Sequence, residues 1–170
     1  IEDLESIDTL GFRGEALSSI SAISRVRITT KTAEEEIGSQ SFFEGGAFIN
    51  QRVFSYDLGT EIMVTDLFYN TPARQKHLQK DKNEEKLIRD ILEKLSLSHP
   101  EISFTYISDG REVFKTLGTG NLKDVIESLY GRDFFKGLRE LNVENSPMRL
   151  RGYISDLTLT RSTREEQIFF

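Results

Sequence analysis

The sequence predicts an α+β fold with a mostly antiparallel sheet. Short runs alternate β-branched and polar residues, two glycine-containing dipeptides are typical of hairpin turns, and three segments carry apolar residues at helical spacing. Short turns join antiparallel strands, whereas parallel strands need long crossovers. Helices and hairpins that follow one another in this way are typical of the α+β class.

The first half of the chain is predicted to contain one helix and then four strands. A helix is expected where Ala16, Leu17 and Ile20 fall on one face, and Gly45-Gly46 is expected to close a hairpin. Pro72 lacks an N–H and restricts the residue before it, so Asn70-Thr71-Pro72 should end the last strand. The predicted helix covers 14–24, and the predicted strands cover 25–32, 40–44, 47–54 and 61–69.

The second half is predicted to contain two helices, a hairpin and further strands. Asp109-Gly110 favours a type I′ turn, whose two central residues need positive φ. Asn121 is a candidate N-cap of the second helix, and Gly131 is a candidate left-handed C-terminal cap. The predicted helices cover 83–97 and 122–130, and the predicted strands cover 102–108, 111–116, 138–143, 149–158 and a run from about 166.

Composition excludes several classes of protein. The chain has 170 residues, no Cys and two His, which excludes a disulfide framework and thiolate or histidine-rich metal sites. No apolar run approaches a membrane span, and the first residues do not form a signal peptide. The absence of Cys fits a reducing cytoplasm, so a cytoplasmic protein is expected. The net charge of -6 argues against non-specific nucleic-acid binding by the chain as a whole. The missing initiator Met and the apolar last residues suggest a segment cut from a longer protein.

Two glycines, three residues apart, lead directly into the first predicted helix. Glycine lets the backbone approach a phosphate closely, and a helix N-terminus offers unpaired N–H donors with partial positive charge. Gly11 and Gly14 could therefore approach a phosphate, with Arg13 adding a charged donor. Taken alone, the spacing favours a simple tight turn over a phosphate site.

Two further features have both a functional and a structural interpretation. Thr60, at the start of a predicted strand, could contact a ligand or cap a turn. Residues 74–82 carry Arg74, Lys76, Lys80 and Lys82, which could meet phosphate or form a solvated helix face. No catalytic motif is visible, and His77 and His99 are expected at the surface.

Taken together and in this order, four strings resemble the MutL family of DNA mismatch-repair proteins, which belongs to the GHKL ATPase superfamily. They are Gly-Phe-Arg-Gly-Glu-Ala-Leu at 11–17, Arg-Ile-Thr-Thr-Lys-Thr at 27–32, Gly-Thr at 59–60 and Asp-Leu-Phe-Tyr-Asn-Thr-Pro-Ala-Arg at 66–74. The resemblance looks more bacterial than eukaryotic.

The resemblance implies a two-part fold. Residues 1–117 would be the later portion of a GHKL (Bergerat-type) ATPase sandwich, from the ATP lid onward. Residues 118–170 would begin a transducer domain like domain 2 of ribosomal protein S5, and Gly118-Thr119-Gly120 would mark the boundary.

The resemblance also assigns roles to individual residues. Gly11, Phe12, Arg13 and Gly14 would hold the ATP triphosphate through backbone N–H groups, and Thr60 would help to bind the adenine end. The family's catalytic Glu, its Mg²⁺-binding Asn and its Asp-x-Gly-x-Gly motif precede the lid and are absent here. No catalytic or metal-binding residue is therefore assigned, and turnover by this chain alone is not expected.

The implied function is that of an ATP-gated, dimeric, DNA-binding matchmaker that couples mismatch recognition to strand removal. The partners would be DNA without sequence specificity, a second copy of the parent and a mismatch-recognition protein of the MutS type. One alternative is a non-catalytic DNA- or partner-binding module; another is a gyrase-like or Hsp90-like GHKL ATPase. The residues proposed to contact DNA are all basic: Arg74, Lys76, Lys80, Arg161 and Arg164.

Overall fold

The computed structural model describes residues 15–78, 80–160 and 166–170. These residues form two compact units that divide between Leu78 and Gln79. Helices and antiparallel strands occur in both, so the predicted α+β class is confirmed. The predicted domain boundary at 117/118 falls inside the second unit and stays a prediction.

The first unit is a four-stranded antiparallel sheet in the order β3-β2-β1-β4, preceded by one short helix and followed by another. The Gly45-Gly46 turn between β2 and β3 has φ of 56° and 84°, as a hairpin turn of this length requires. The elements are α1 (Ala16–Ser21), β1 (Arg25–Lys31), β2 (Gly38–Glu44), β3 (Ala47–Phe54), β4 (Gly59–Thr65) and α2 (Pro72–Gln75).

The strand predicted over 61–69 is shorter at its C-terminal end than the sequence suggested. β4 ends at Thr65. Asp66 and Phe68 have φ of 52° and 64°, which turns the chain before Pro72 is reached. Pro72 then occupies the first turn of α2, where its missing N–H costs nothing.

The two faces of this sheet differ in chemistry. Val26, which is 2% exposed, lies on one face. On β4 this face carries Val64, which is opposite Val26, and Ile62, which is opposite Ile28. The other face carries a buried polar pair, because the Gln40 side-chain Nε2 donates to the Thr29 hydroxyl at 2.9 Å. The alternation of the strands therefore produces one apolar face and one polar face.

The second unit contains three helices and two antiparallel hairpins. The elements are α3 (Asp81–Ser98), β5 (Thr105–Ser108), β6 (Arg111–Lys115), α4 (Leu122–Tyr130), α5 (Arg132–Lys136), β7 (Leu138–Asn145) and β8 (Met148–Ser155). The predicted type I′ turn is confirmed, since Asp109 and Gly110 both have positive φ.

The predicted caps of α4 have different outcomes. Asn121 caps the helix as expected, its side-chain oxygen accepting from the Lys123 backbone N–H at 3.0 Å. Gly131 has the expected positive φ of 88°, but its ψ of 159° is not left-handed helical. The reason is that Gly131 also precedes α5, a five-residue helix that the sequence did not predict.

The core of the second unit lies between its helices and the β5–β6 hairpin. Phe114, Val125 and Ile126 are each at most 6% exposed. The fully buried Thr116 hydroxyl accepts from the Phe104 backbone N–H at 2.9 Å, which satisfies a polar group inside that core.

Near the C-terminus, the hairpin β7–β8 matches two of the predicted strands. The strand expected from about 166 is absent, because the described residues 166–170 form no strand. Within the part of the chain that the structure describes, no helix is long and apolar enough to cross a membrane.

Candidate functional site

The site predicted at Gly11, Phe12, Arg13 and Gly14 lies outside the described residues, so the structure places none of the four. The helix predicted after them is present. Its N-cap is Glu15, and α1 runs from Ala16 to Ser21, shorter than the predicted 14–24. The structure therefore confirms the helix, and the phosphate-binding role of the four residues before it stays a prediction.

The C-terminal end of α1 is held by two other segments of the same unit. Four consecutive carbonyl oxygens, those of the last residue of α1 and of the three residues after it, accept N–H groups from the β2–β3 turn and from residues 66–70. The pairs are Gly46 N to Ser21 O at 2.8 Å, Asn70 Nδ2 to Ala22 O at 2.9 Å, Phe68 N to Ile23 O at 2.7 Å and Gly45 N to Ser24 O at 3.2 Å. We call these four bonds the α1 clamp.

The α1 clamp connects the string at 66–74 to the C-terminal end of α1, the helix whose first residues belong to the string at 11–17. The string at 11–17 runs into α1, and the string at 66–74 supplies Phe68 and Asn70. The sequence predicted only that Asn70 would help to end a strand. Its actual partner is 48 residues away in the chain, and local patterns contain no signal for such a contact.

Arg25 fixes the segment that supplies the clamp. Its guanidinium donates to Asp66 at 2.8 Å and to Glu44 at 3.1 Å, and it lies 4.9 Å from the centre of the Tyr69 ring. These hydrogen bonds, first to Asp66 and then to Glu44, raise the pKa of Arg25. The cation thereby links β2, the start of β1 and the 66–70 turn in one exposed cluster.

Thr60, the other predicted nucleotide-contacting residue, is paired with a second threonine. Its hydroxyl oxygen lies 2.8 Å from that of Thr30, which sits opposite it in the β1–β4 register. The Thr30 hydroxyl is also 3.2 Å from the Gly59 carbonyl oxygen, to which it can donate. Thr60 is exposed and lies on the apolar face of the sheet, with Ile62. A planar apolar ligand with polar edges could contact both the face and the hydroxyl.

The predicted DNA-contacting residues fall in separate parts of the structure. Arg74 lies in α2 and Lys76 follows it as the C-cap, both in the first unit and both exposed. Lys80 is the exposed N-cap residue of α3 in the second unit. Arg161 and Arg164 lie outside the described residues. Only Arg74 and Lys76 are therefore shown on one local surface.

The described residues contain no ready-made metal centre. Among them, no three His, Asp or Glu side chains lie close enough together to hold a metal ion. His77 is exposed in the turn after α2, whereas His99 is partly buried at the end of α3, with its Nδ1 3.1 Å from a Glu101 carboxylate oxygen. A backbone hydrogen bond lowers the pKa of Glu101, and the contact with His99 lowers it further.

Known proteins resemble this chain in sequence over nearly its whole length. The chain is 48% identical over 162 residues to the DNA mismatch repair protein MutL of Streptococcus uberis, which covers 95% of this chain and 24% of that protein. It is 41% identical over all 170 residues to the DNA mismatch repair protein MutL of Clostridium tetani, covering 27% of it. The chain thus spans about a quarter of the length of these relatives. No protein-family model matches the sequence.

Solved structures give the same result for the fold. The Aquifex aeolicus MutL ATPase domain complexed with ADP superposes with a TM-score of 0.75 at 32% identity, covering 91% of this chain and 59% of that one. The N-terminal domain of a DNA repair protein superposes with a TM-score of 0.77 at 25% identity, covering 94% and 54%.

Proposed function

Because the chain belongs to the MutL family and spans about a quarter of its members' length, we propose that it works as the lid-bearing part of an ATP-driven DNA mismatch-repair protein. The α1 clamp carries this proposal. It fixes the end of α1, the helix that follows the proposed phosphate-binding residues in the sequence. The curated matches are MutL proteins, which favours this function over a gyrase-like or Hsp90-like ATPase.

ATP is the proposed nucleotide, held by two groups of residues. The backbone N–H groups of Gly11, Phe12, Arg13 and Gly14 would donate to the triphosphate, and the Arg13 guanidinium would add a charge-assisted contact. At the other end of the nucleotide, the exposed Thr60 hydroxyl would contact the adenine. The apolar face of the sheet beside Thr60 suits an aromatic base.

Hydrolysis would depend on a catalytic base and a metal-binding residue. The family resemblance places the catalytic Glu and the Mg²⁺-binding Asn before the lid in the intact parent. Mg²⁺ would neutralise phosphate charge there. The role of the present residues is to bind and enclose the nucleotide.

In the intact parent, the γ-phosphate would order the lid and promote dimerisation of two copies. This is an order–disorder switch driven by contacts that exist only with the triphosphate. The dimer would bind DNA without sequence specificity and engage a MutS-type mismatch-recognition protein in the bacterial cytoplasm, at the nucleoid. The relatives named DNA mismatch repair protein MutL support this assignment.

The test is equilibrium binding of ATP to the full-length protein that carries this sequence. Gly11→Ala and Gly14→Ala add a side chain where the backbone must approach phosphate, so each should weaken ATP binding. Gly110→Ala is the control: Gly110 lies in the β5–β6 turn with a φ of 73°, so alanine strains that turn, but an added Cβ meets no atom within 4 Å and ATP affinity should be unchanged. Unchanged ATP affinity in both lid variants would contradict the lid assignment.

A second candidate function, DNA or partner binding without catalysis, is favoured by the exposed pair Arg74 and Lys76. The two functions are compatible in one protein. Binding through phosphate contacts weakens steeply as salt concentration rises. Replacing Arg74 and Lys76 by Gln should lower DNA affinity and reduce the salt dependence by about two counterions. Affinity that does not fall with rising salt would exclude this mode.

A further inference from the structure

Helices α3 and α4 lie on opposite sides of the predicted domain boundary at 117/118, yet one carboxylate joins them. Glu93, on α3, accepts through one oxygen from the Tyr130 hydroxyl of α4 at 3.2 Å. Its other oxygen accepts from Arg89 Nε, one turn earlier on α3, at 2.6 Å. The Glu93 side chain is only 13% exposed, so water competes little for these bonds. Glu93 thus bridges a helix of the predicted ATPase part and a helix of the predicted transducer part.

We propose that Glu93 locks α3 to α4, so that the two helices move as one rigid pair when the nucleotide state of the protein changes. The end of the ATPase part and the beginning of the transducer part then form one mechanical element, and bending between the two parts takes place after α4. The proposal rests on the proposed function, because it presumes that ATP changes the conformation of the protein. It gives the second unit the task of transmitting that change.

The two helices contact each other through closely packed faces. Ser96, one turn after Glu93 on the same face of α3, is fully buried, and its hydroxyl donates to a carbonyl oxygen of its own helix at 2.8 Å. On α4, Val125 and Ile126 are 1% and 6% exposed, and Tyr130 follows Ile126 by one turn. The bridge therefore lies beside packed side chains that support the same pairing of α3 with α4.

The connection between the two parts is also held in place. The Gly120 N–H donates to the Pro100 carbonyl oxygen at 3.0 Å, which ties the segment before α4 to the segment after α3. A Cβ added at Gly118 would lie 2.7 Å from the Ser103 backbone nitrogen, so the connection runs directly against that same segment. A backbone held at both points cannot bend without breaking these contacts. The connection is therefore part of the rigid pair and not a hinge.

The donor of the bridge keeps its proton at neutral pH. Burial, and then the charge of Glu93, raise the pKa of Tyr130. Hydrogen bonds to a charged partner are stronger than those between neutral groups. Loss of the Tyr130–Glu93 bond should therefore raise the equilibrium constant for separating α4 from α3 about tenfold or more.

Native-state hydrogen exchange of the full-length protein, without nucleotide, measures the lock. Tyr130→Phe removes only the bond between the helices, and Glu93→Leu removes both bonds of the carboxylate. Each should speed exchange of the α4 amides about tenfold or more, while β1 and β2 keep their wild-type rates. Tyr130→Phe should have little further effect in the Glu93→Leu background, because the bond is then already lost. Glu85→Leu, the same change earlier on α3, is the control and should leave α4 exchange unchanged.

A distance measurement tests the rigidity of the pair with ATP bound. Lys94→Cys on α3 and Lys123→Cys on α4, both at exposed positions, carry two spin labels, and the 170 residues contain no Cys of their own. The distance between the labels should be the same without nucleotide and with bound ATP.

A label distance that shifts on ATP binding overturns the proposal. Additive effects of Tyr130→Phe and Glu93→Leu, or wild-type α4 exchange in both variants, overturn it too. Failure of the wild-type protein to bind ATP instead contradicts the proposed function, and the exchange experiment without nucleotide still tests the lock.

Discussion

The hydroxyl oxygens of Thr30 and Thr60 lie 2.8 Å apart across the β1–β4 pair, and only one of the two can donate in this bond. If Thr30 gives its proton to the Gly59 carbonyl oxygen, 3.2 Å away, Thr60 must donate to Thr30. Thr60 then presents only lone pairs to a ligand. If Thr30 donates to Thr60, the Thr60 proton is free for a ligand acceptor. The pair can therefore match either polarity at the edge of a base.

This arrangement predicts that Thr30 affects nucleotide binding through Thr60. Thr30→Val removes the partner and should weaken ATP binding about fivefold, whereas Thr30→Ser keeps a hydroxyl and should retain most of the affinity. Thr65→Val, at the far end of β4 and on its opposite face, is the control. The measurement is equilibrium titration of the full-length protein with ATP. Equal affinities for Thr30→Val and Thr30→Ser would show that the hydroxyl has no role.

Sequence periodicity was sufficient for most elements of the fold. The strand pattern predicted β3 at its observed bounds and β1 to within one residue, because its alternation and turn residues are local properties. It overextended β4, since the positive φ of Asp66 and Phe68 is enforced by contacts such as the Arg25–Asp66 bond. α5 was missed because it has only five residues and no side-chain cap.

The contacts of the candidate site were harder to predict from the sequence than the helices and strands. Thr60 was predicted from resemblance, but its partner Thr30 became evident only from the β1–β4 register. The Asn70–Ala22 bond joins residues 48 positions apart, and nothing in either segment alone specifies the other. Contacts of this kind depend on tertiary structure, which brings distant backbone groups to one helix end.

Gln40 should be essential for the polar face of the first sheet. Its Oε1 accepts from Arg52 Nε at 2.9 Å, its Nε2 donates to Thr29, and the residue is 2% exposed. Gln40→Leu leaves both partners without this bond and should lower the free energy of unfolding by about 2 kcal/mol. Gln40→Glu can pair with Arg52 and accept from the Thr29 hydroxyl after that hydroxyl rotates, so it should cost less at pH 7.

Urea unfolding at pH 7 and at pH 4 separates the two Gln40 variants. A carboxylate beside Arg52 has a lowered pKa in the folded state, so its stabilisation is present above the unfolded value of about 4.3 and is lost as pH falls. The advantage of Gln40→Glu over Gln40→Leu should therefore shrink toward pH 4. If Gln40→Glu is no more stable than Gln40→Leu at pH 7, then Arg52 does not need an acceptor at this position.

Tyr130 should make the second unit sensitive to alkaline pH. Its hydroxyl donates to Glu93 at 3.2 Å and its ring packs 5.0 Å from that of Phe134. Burial, and then the charge of Glu93, raise the pKa of Tyr130. A group whose pKa is higher in the folded state contributes stability below its unfolded pKa of about 10 and loses it as pH rises above that value.

Tyr130→Phe tests this assignment. At pH 8 the variant should be less stable than wild type by about 1 kcal/mol, the size of the lost hydrogen bond. The difference should narrow as pH rises above about 10, because only the wild-type residue can then ionise on unfolding. Tyr106→Phe, whose ring packs against Phe114 in the same unit, is the control for loss of a phenol. If the stability difference between wild type and Tyr130→Phe stays constant as pH rises, the raised pKa of Tyr130 is contradicted.

The segment predicted as a domain boundary, Gly118-Thr119-Gly120, should tolerate substitution unequally at its two glycines. Gly118 has a φ of 69°, and a Cβ there would lie 2.7 Å from the Ser103 backbone nitrogen. Gly120 has a φ of 77°, but a Cβ there meets no atom within 4 Å. Gly120→Ala should therefore cost about 1 kcal/mol of unfolding free energy for backbone strain alone, and Gly118→Ala about 3 kcal/mol because a clash is added. Thermal and urea unfolding measure both, and equal costs would mean that 118–120 is a loose connection, free to move away from the 101–103 segment.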